Sequence, residues 1–199
     1  MAAPEPGPSL ILTGLAAAAS PAGTVAPLRG ADLGRVEVQA PAAIAVVEGR
    51  IAAVGAPDDV LREHGGLEAV DCHGAVAIPG LVDCHTHPAF GGDRAGEFDL
   101  RAQGADYERI HASGGGIRST VEATRGLGAA ALAEETARHL GWMAANGTTT
   151  AEGKSGYGLD RETELASLAA VAGPHPIETV PTYLGAHAVP PEYGSADEY

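Results

Sequence analysis

Residues Pro79-Gly-Leu-Val-Asp-Cys-His-Thr-His87 read as a turn, a short apolar strand and two histidines spaced one apart where that strand ends. In an extended chain residues i and i+2 point to the same side, so His85 and His87 can both aim at one ion while Thr86 faces away. Imidazole suits zinc and other late first-row divalent metals, and a catalytic site takes about three protein ligands with one position left open for water. Two such ligands are present, which is how a hydrolytic metal centre begins. The competing reading of His-x-His alone is a chance pair in a polar loop. The preceding apolar strand weighs against it, because a buried strand running into polar ligands is the geometry of a site at the C-terminal mouth of a parallel barrel.

The elements that must position such a pair fall into two groups. The first eighty residues read as short strands. Leu10 to Thr13 followed by Gly14 makes a first strand and its turn, and Pro21 to Pro41 is loop-like. Ala43 to Val47, the turn Glu48-Gly49 and Arg50 to Val54 make a hairpin, with Gly where positive φ is tolerated. Ala69 to Asp71 and Ala75 to Ile78 form a second pair about the tight turn Cys72-His73-Gly74. After Pro79 the pattern changes to α/β alternation. Leu81 to Cys84 reads as a buried strand, and Asp99 to Arg125 holds helical pieces interrupted by Gly114-Gly115-Gly116. Leu132 to Ala145 is a helix with Leu132, Thr136, Leu140 and Met143 on one face and Asn146-Gly147 as its stop. Thr148 to Glu152 is a strand, Arg161 to Ala172 a helix, and Ile177 to Leu184 a third strand that ends in Gly185-Ala186-His187. Strand, helix, strand, helix, strand predicts a parallel sheet with polar groups presented after each strand. Gly153 stands where an apolar β-branched residue is expected, which predicts a weakened strand.

Composition narrows the partners. Twelve Lys and Arg against 26 Asp and Glu leave a formal charge of −14, which disfavours nucleic acid and anionic membrane surfaces. The two cysteines, Cys72 and Cys84, do not make a disulfide scaffold, so a reducing cytoplasm is the expected location. Leu10 to Ala19 is apolar, but Met1 to Ser9 contains Glu5 and no Lys or Arg, so the positive flank of a secretory signal is missing. No apolar stretch approaches the roughly 20 residues needed to span a bilayer.

Four segments, Pro79 to His87, Phe90-Gly-Gly-Asp-Arg-Ala-Gly-Glu-Phe98, Gly114-Gly-Gly-Ile-Arg-Ser-Thr120 and Lys154-Ser-Gly-Tyr-Gly-Leu159, followed by Leu184-Gly-Ala-His-Ala-Val-Pro-Pro-Glu-Tyr193, strongly resemble imidazolonepropionase. This is a histidine-degradation family of the amidohydrolase superfamily. The first motif marks only the superfamily, whereas the Lys154 and Leu184 motifs are specific to the family. The resemblance runs from about Leu10 to Tyr199 and implies hydrolysis of the ring amide of 4-imidazolone-5-propanoate to N-formimino-L-glutamate, with Zn2+ or Fe3+ holding the attacking water. A bound cation lowers the pKa of water toward about 7 and polarises the carbonyl that it faces.

By that resemblance, His85 and His87 are the first two metal ligands and Arg94 binds the substrate propionate, since a guanidinium matches a carboxylate bidentately. Without the motif, Arg94 reads as one arm of a surface salt bridge. Tyr157 lines the ring pocket, its two glycine neighbours allowing close backbone approach. His187 ends a third strand and is a substrate contact and a catalytic proton-handling group. Lys154 is assigned a structural role. Cys72, His73, Cys84 and His85 match no common zinc-finger spacing. Gly114-Gly115-Gly116 lacks the ending of a phosphate loop and reads as a mobile wall of the pocket.

The implied fold class is α/β: the N-terminal part of a metal-dependent (β/α)8 barrel hydrolase, residues 79–199, preceded by a small β-sandwich at residues 1–78. A full barrel takes about 250 residues, so three strands and their helices leave it incomplete. The family's later His and Asp ligands have no counterpart after His187, and Asp197 sits in what reads as a helix start. The chain is therefore read as the N-terminal half of such an enzyme, a fragment expected to be inactive alone, with a homodimer expected of the full-length protein. Two other readings stay open: another cyclic amidohydrolase or deaminase sharing His-Thr-His, and a non-catalytic remnant.

Overall fold

A computed structural model describes residues 7–21, 27–106 and 115–199. It divides into two compact units, Met1–Pro79 and Gly80–Tyr199.

In the first unit, β1 (Leu10–Leu15) lies between β4 (Ala42–Val47), which it meets antiparallel, and β6 (Glu68–Asp71), which it meets parallel; β5 (Arg50–Gly55) completes the four-stranded sheet. A second sheet has β2 (Ala17–Pro21) between β3 (Val36–Gln39) and β7 (Val76–Ala77). The β4–β5 turn has Glu48 at φ 52° and Gly49 at φ 76°, the pair of left-handed residues that a two-residue hairpin needs. The sheets share an apolar cluster of Leu15, Ala18, Ala42 and Ile44, joined by Cys72 and Ala77.

Several expectations for this unit are corrected. Gly14 does not end the first strand. It sits inside β1 at φ 64°, where the register to β4 shifts between Leu12 and Leu15, so it serves as a bulge rather than a turn. The stretch from Pro21 to Pro41 is not all loop, since it holds a 3-10 turn at Gly30–Gly34 and then β3. β6 and β7 do not pair with each other. They flank a real turn at His73 and Gly74, but each leaves for a different sheet, where β1 and β2 offer longer partners. A helix, α1 (Pro57–His64), fills the segment between Val54 and Ala69 to which the sequence assigned no element. Pro57 opens it, Asp58 and Asp59 occupy its first turn and Arg62 and His64 its last, and Val60 is buried against Ile11, Ala43 and Ala45.

The second unit is built on three parallel strands in the order β10 (Glu178–Thr182), β9 (Thr148–Lys154) and β8 (Leu81–Thr86). Between them run α2 (Ala95–Ala102), α3 (Ile117–Ala145) and α4 (Arg161–Val171). α3 breaks at Gly128 (φ 72°, ψ 163°), so the expected helix from Leu132 is its second half. Of its predicted face, Leu132, Thr136 and Leu140 are all at 1 % exposure or less and Met143 is half-buried. Leu140 packs with Ala151 of β9 and Ile177, and Leu132 with Val171 of α4 and Ala89. α4 starts at Asp160, whose carboxylate accepts from the Thr163 backbone N–H at 2.7 Å.

Here too the structure corrects the sequence. β8 is not buried: Leu81 and Val82 are 53 % and 68 % exposed, because the helices pack on β9 and β10 and leave the faces of β8 open. β9 runs unbroken through Gly153, and the apolar β-branched residue expected there has no room. A Cβ there would press into Val171 Cγ1 and lie 3.1 Å from Cγ2 and 3.3 Å from Pro88 Cγ, so the side chain of α4 takes the room that a larger residue would need. Pro181 is tolerated because β10 is the other edge. Asp197 lies in a turn, not at a helix start. Gly114 lies outside the described residues, with Gly115 and Gly116 just before α3. Among the described residues no helix is long and apolar enough to cross a membrane.

Candidate active site

The carboxyl ends of β8, β9 and β10 carry the side chains that the sequence singles out. A cavity of about 510 Å³ opens beside the end of β8, lined by His85, Thr86, His87, Phe90, Arg94 and Tyr157 among others. Open parallel sheets gather ligand-binding groups at this end of their strands.

His85 is the last residue but one of β8 and His87 follows the strand, their ring centroids 6.2 Å apart and edge-on. Thr86, expected to face away, also borders the cavity, and its buried hydroxyl has no hydrogen-bond partner among the described residues. The His87 ring is covered from two sides. His187 stacks on it at 4.8 Å with 14° between planes, and Tyr157 leans on it at 4.9 Å. Burial lowers the His87 pKa from its ordinary value, and the neighbouring His187 lowers it further. Its buried Nδ1 has no hydrogen-bond partner among the described residues.

That orphaned nitrogen, with the His85 ring beside it, is a fit for part of a metal's coordination shell. Among the described residues no group of three or more His, Cys, Asp or Glu is arranged to hold a metal, so the pair contributes two donors. Cys72 and His73 lie in the other unit from Cys84 and His85.

Loops after the strands hold the remaining groups. His139 of α3 meets the Pro88 carbonyl through Nδ1 at 2.8 Å and stacks on Phe90 at 4.3 Å, fixing the turn after His87. Arg94, 39 % exposed at its side chain, donates from Nε to Thr120 Oγ1 at 3.0 Å and lies 3.9 Å from Glu97. Lys154 pairs with Glu152 at 2.7 Å, and Glu152 also accepts from Thr182 on β10. These contacts, Lys154 first, lower the Glu152 carboxyl below its ordinary value. The Lys154–Glu152 pair lies within β9, and Thr182 of β10 donates to the Glu152 carboxylate that Lys154 holds, which is a structural use of Lys154.

Tyr157 sits between Gly156 and Gly158, and both glycines are required. Gly156 has φ 113°, and a Cβ there would fall 2.9 Å from the Leu184 carbonyl and 3.0 Å from the His187 ring; one on Gly158 would meet Thr163 and the Glu164 backbone below 3 Å. His187, in the 3-10 turn Gly185–His187, places Nδ1 3.0 Å from the Gly156 carbonyl. The sequence reading missed Glu164, which is 2 % exposed and accepts from three backbone N–H groups of this loop. Its signal was available: a Gly-Tyr-Gly loop bends several N–H groups inward, and such a loop needs a buried acceptor.

The parallel sheet with interleaved helices and ligand-type side chains at its strand ends defines an α/β protein of the kind that binds small molecules at that edge. No family model matches the chain. It is 59 % identical over 97 % of its length to "Imidazolonepropionase" of Rubrobacter xylanophilus, covering 48 % of that protein, and 48 % identical over 86 % of its length to "Imidazolonepropionase" of Herpetosiphon aurantiacus, covering 40 %. In fold it is similar to the crystal structure of A. niger ochratoxinase, with a TM-score of 0.50, 18 % identity, and coverage of 88 % of this chain and 31 % of that one. The family that this chain resembles is imidazolonepropionase, and it spans about half the length of the curated relatives that it matches, as expected of their N-terminal half.

Proposed function

We propose that this chain supplies the N-terminal half of a metal-dependent hydrolase that opens the ring amide of 4-imidazolone-5-propanoate to N-formimino-L-glutamate. In this reading β8, β9 and β10 are the first three strands of a (β/α)8 barrel, and the two sheets of the first unit are part of a β-sandwich. The observation that carries it is the gathering of His85, His87, Arg94 and Tyr157 around one cavity, with His187 stacked on His87.

His85 and His87 would hold Zn2+ or Fe3+. When bound there, such an ion supplies Lewis acidity toward the amide carbonyl and activates water. Arg94 binds the propionate with its guanidinium and so sets the ring's distance from the histidines. Tyr157 offers a flat wall against which the five-membered ring lies. His187 faces the same wall and exchanges a proton with the ring nitrogen that leaves when the amide C–N bond breaks.

Turnover of imidazolone propanoate, hydantoin, dihydroorotate and guanine by the protein that contains this chain tests the reading. Preference for imidazolone propanoate is the expected result. Preference for one of the others moves the site to a different cyclic amidohydrolase or deaminase, and a protein that binds the compounds without turnover is a non-catalytic remnant.

A further inference from the structure

We infer that Glu164 is a positioning residue of the site: with Arg125 it clamps the 156–159 loop so that Tyr157 and His187 are held against His87. The inference rests on the site reading above, since it assigns Glu164 a purpose only if those three rings work together.

Glu164 is a carboxylate with almost no access to water, and its Oε1 accepts from the backbone N–H groups of Gly156, Gly158 and Leu159 at 3.1, 2.8 and 2.9 Å. The same loop's carbonyls are taken by a cation. Arg125 of α3 donates from Nε to the Gly158 carbonyl at 2.6 Å and from Nη2 to the Leu159 carbonyl at 2.8 Å. A loop whose N–H groups converge on a buried anion and whose carbonyls converge on a guanidinium has little freedom, because charge-assisted bonds are about twice as strong as neutral ones. The consequence reaches the site through two residues. Tyr157 lies inside the clamped segment, 5.5 Å from His187 by ring centroids, and the Gly156 carbonyl meets His187 Nδ1 at 3.0 Å.

A simpler purpose for Glu164 would be capping α4, near whose N-terminus an anion is favourable. That position is already filled. Asp160 caps the helix through the Thr163 N–H, and Glu164 turns its carboxylate to the loop instead. An apolar residue would pack there as well as a carboxylate does, but would leave three buried N–H groups unpaired.

The test compares wild type, Glu164→Ala and Glu164→Gln in the isotope-labelled full chain. The readouts are amide hydrogen exchange and the His187 ring nitrogen resonances, with Zn2+ titrated separately. In Glu164→Ala, protection of Gly156, Gly158 and Leu159 should fall about tenfold or more, as the loss of a charge-assisted bond requires, and the His187 Nδ1 resonance should move. Ala151 in β9 and Leu168 in α4 should keep their protection. Glu164→Gln keeps a carbonyl acceptor at the same reach and should restore the His187 resonance and part of the loop protection. Unchanged loop amides in Glu164→Ala, or loss shared in equal proportion by Ala151 and Leu168, would overturn the inference. If Glu164→Ala does not fold, Glu164→Gln decides: its loop amide resonances must shift selectively, and unshifted ones reject the clamp. Absence of bound Zn2+ from the longer protein that contains this chain would reject the metal reading and leave the loop result standing.

Discussion

The rings of His87 and His187 stack at 4.8 Å with 14° between their planes, although one residue follows β8 and the other follows β10. The contact closes one side of His87, and burial together with the second imidazole favours its neutral form. Neutral imidazole is the form that ligates a metal. The stack therefore ties the third strand's end to the first strand's metal-type ligand.

Removing either donor should remove the metal. In the protein that contains this chain, His85→Ala and His87→Ala are each expected to abolish Zn2+ binding, as read by metal content after dialysis, because each removes a direct ligand. His187→Ala removes a neighbour and not a donor, so metal should remain. Metal retained in stoichiometric amount by His85→Ala or His87→Ala would show that the centre lies elsewhere.

Gly153 and Val171 should be coupled. Gly153→Ala drives a methyl group into the Val171 side chain in a fully buried part of the sheet, and overpacking of this kind costs about 1–3 kcal/mol. Adding Val171→Ala opens the space. Urea denaturation should find the double variant less destabilised than the sum of the two single changes, whereas simple additivity would mean that the two side chains do not compete.

What the sequence disclosed depended on how local each signal was. The β4–β5 turn was legible because Gly49, which tolerates positive φ, falls between two short apolar runs, and the α3 face because Leu132, Thr136 and Leu140 recur at helical spacing. The parallel direction of β8, β9 and β10 followed from alternation with helices. α1 was missed although Pro57, two acids and two bases mark both its ends, since only Val60 is buried and there is no apolar stripe. The separation of β6 from β7 was not legible, because their partners β1 and β2 lie far away in sequence. In the site, the metal-type pair and the Tyr157 loop stood out by residue type. Glu164 did not, because a glutamate early in a helix reads as part of a solvated face, and its burial comes from tertiary packing.

Acid should loosen the contact between Arg125 and Glu192, which meet at 2.7 Å. The Glu192 carboxyl lies below its ordinary value, through its own backbone N–H first and then through Arg125. A carboxyl lowered on folding stabilises the fold above its unfolded pKa and loses that contribution as pH falls through the folded value. The pair is partly exposed, so the effect is small and screened by salt. Thermal melts of wild type and Glu192→Gln should therefore differ most near neutrality and converge at strongly acidic pH. A gap that widens as pH falls would reverse the sign and reject the assignment.

Arg94 offers the sharpest separation of binding from chemistry. Its Nε is held by Thr120 Oγ1 at 3.0 Å, which fixes the guanidinium at the cavity wall in the plane a carboxylate would approach. An interaction with the propionate is made in ground and transition states alike, so Arg94→Ala in the protein containing this chain should raise KM with metal content unchanged. Some loss of kcat should accompany it, because the carboxylate contact also holds the ring amide in register with the histidines. Arg94→Lys should recover only part of the loss, since an ammonium is a single point charge and does not reproduce the two-pronged geometry. The deciding comparison uses a substrate lacking the carboxylate. Wild type should handle it about as poorly as Arg94→Ala handles the natural substrate, and the variant should lose little more. If Arg94→Ala slows the truncated substrate as severely as the natural one, Arg94 does not grip the propionate, and its bond to Thr120 serves the fold of the cavity wall instead.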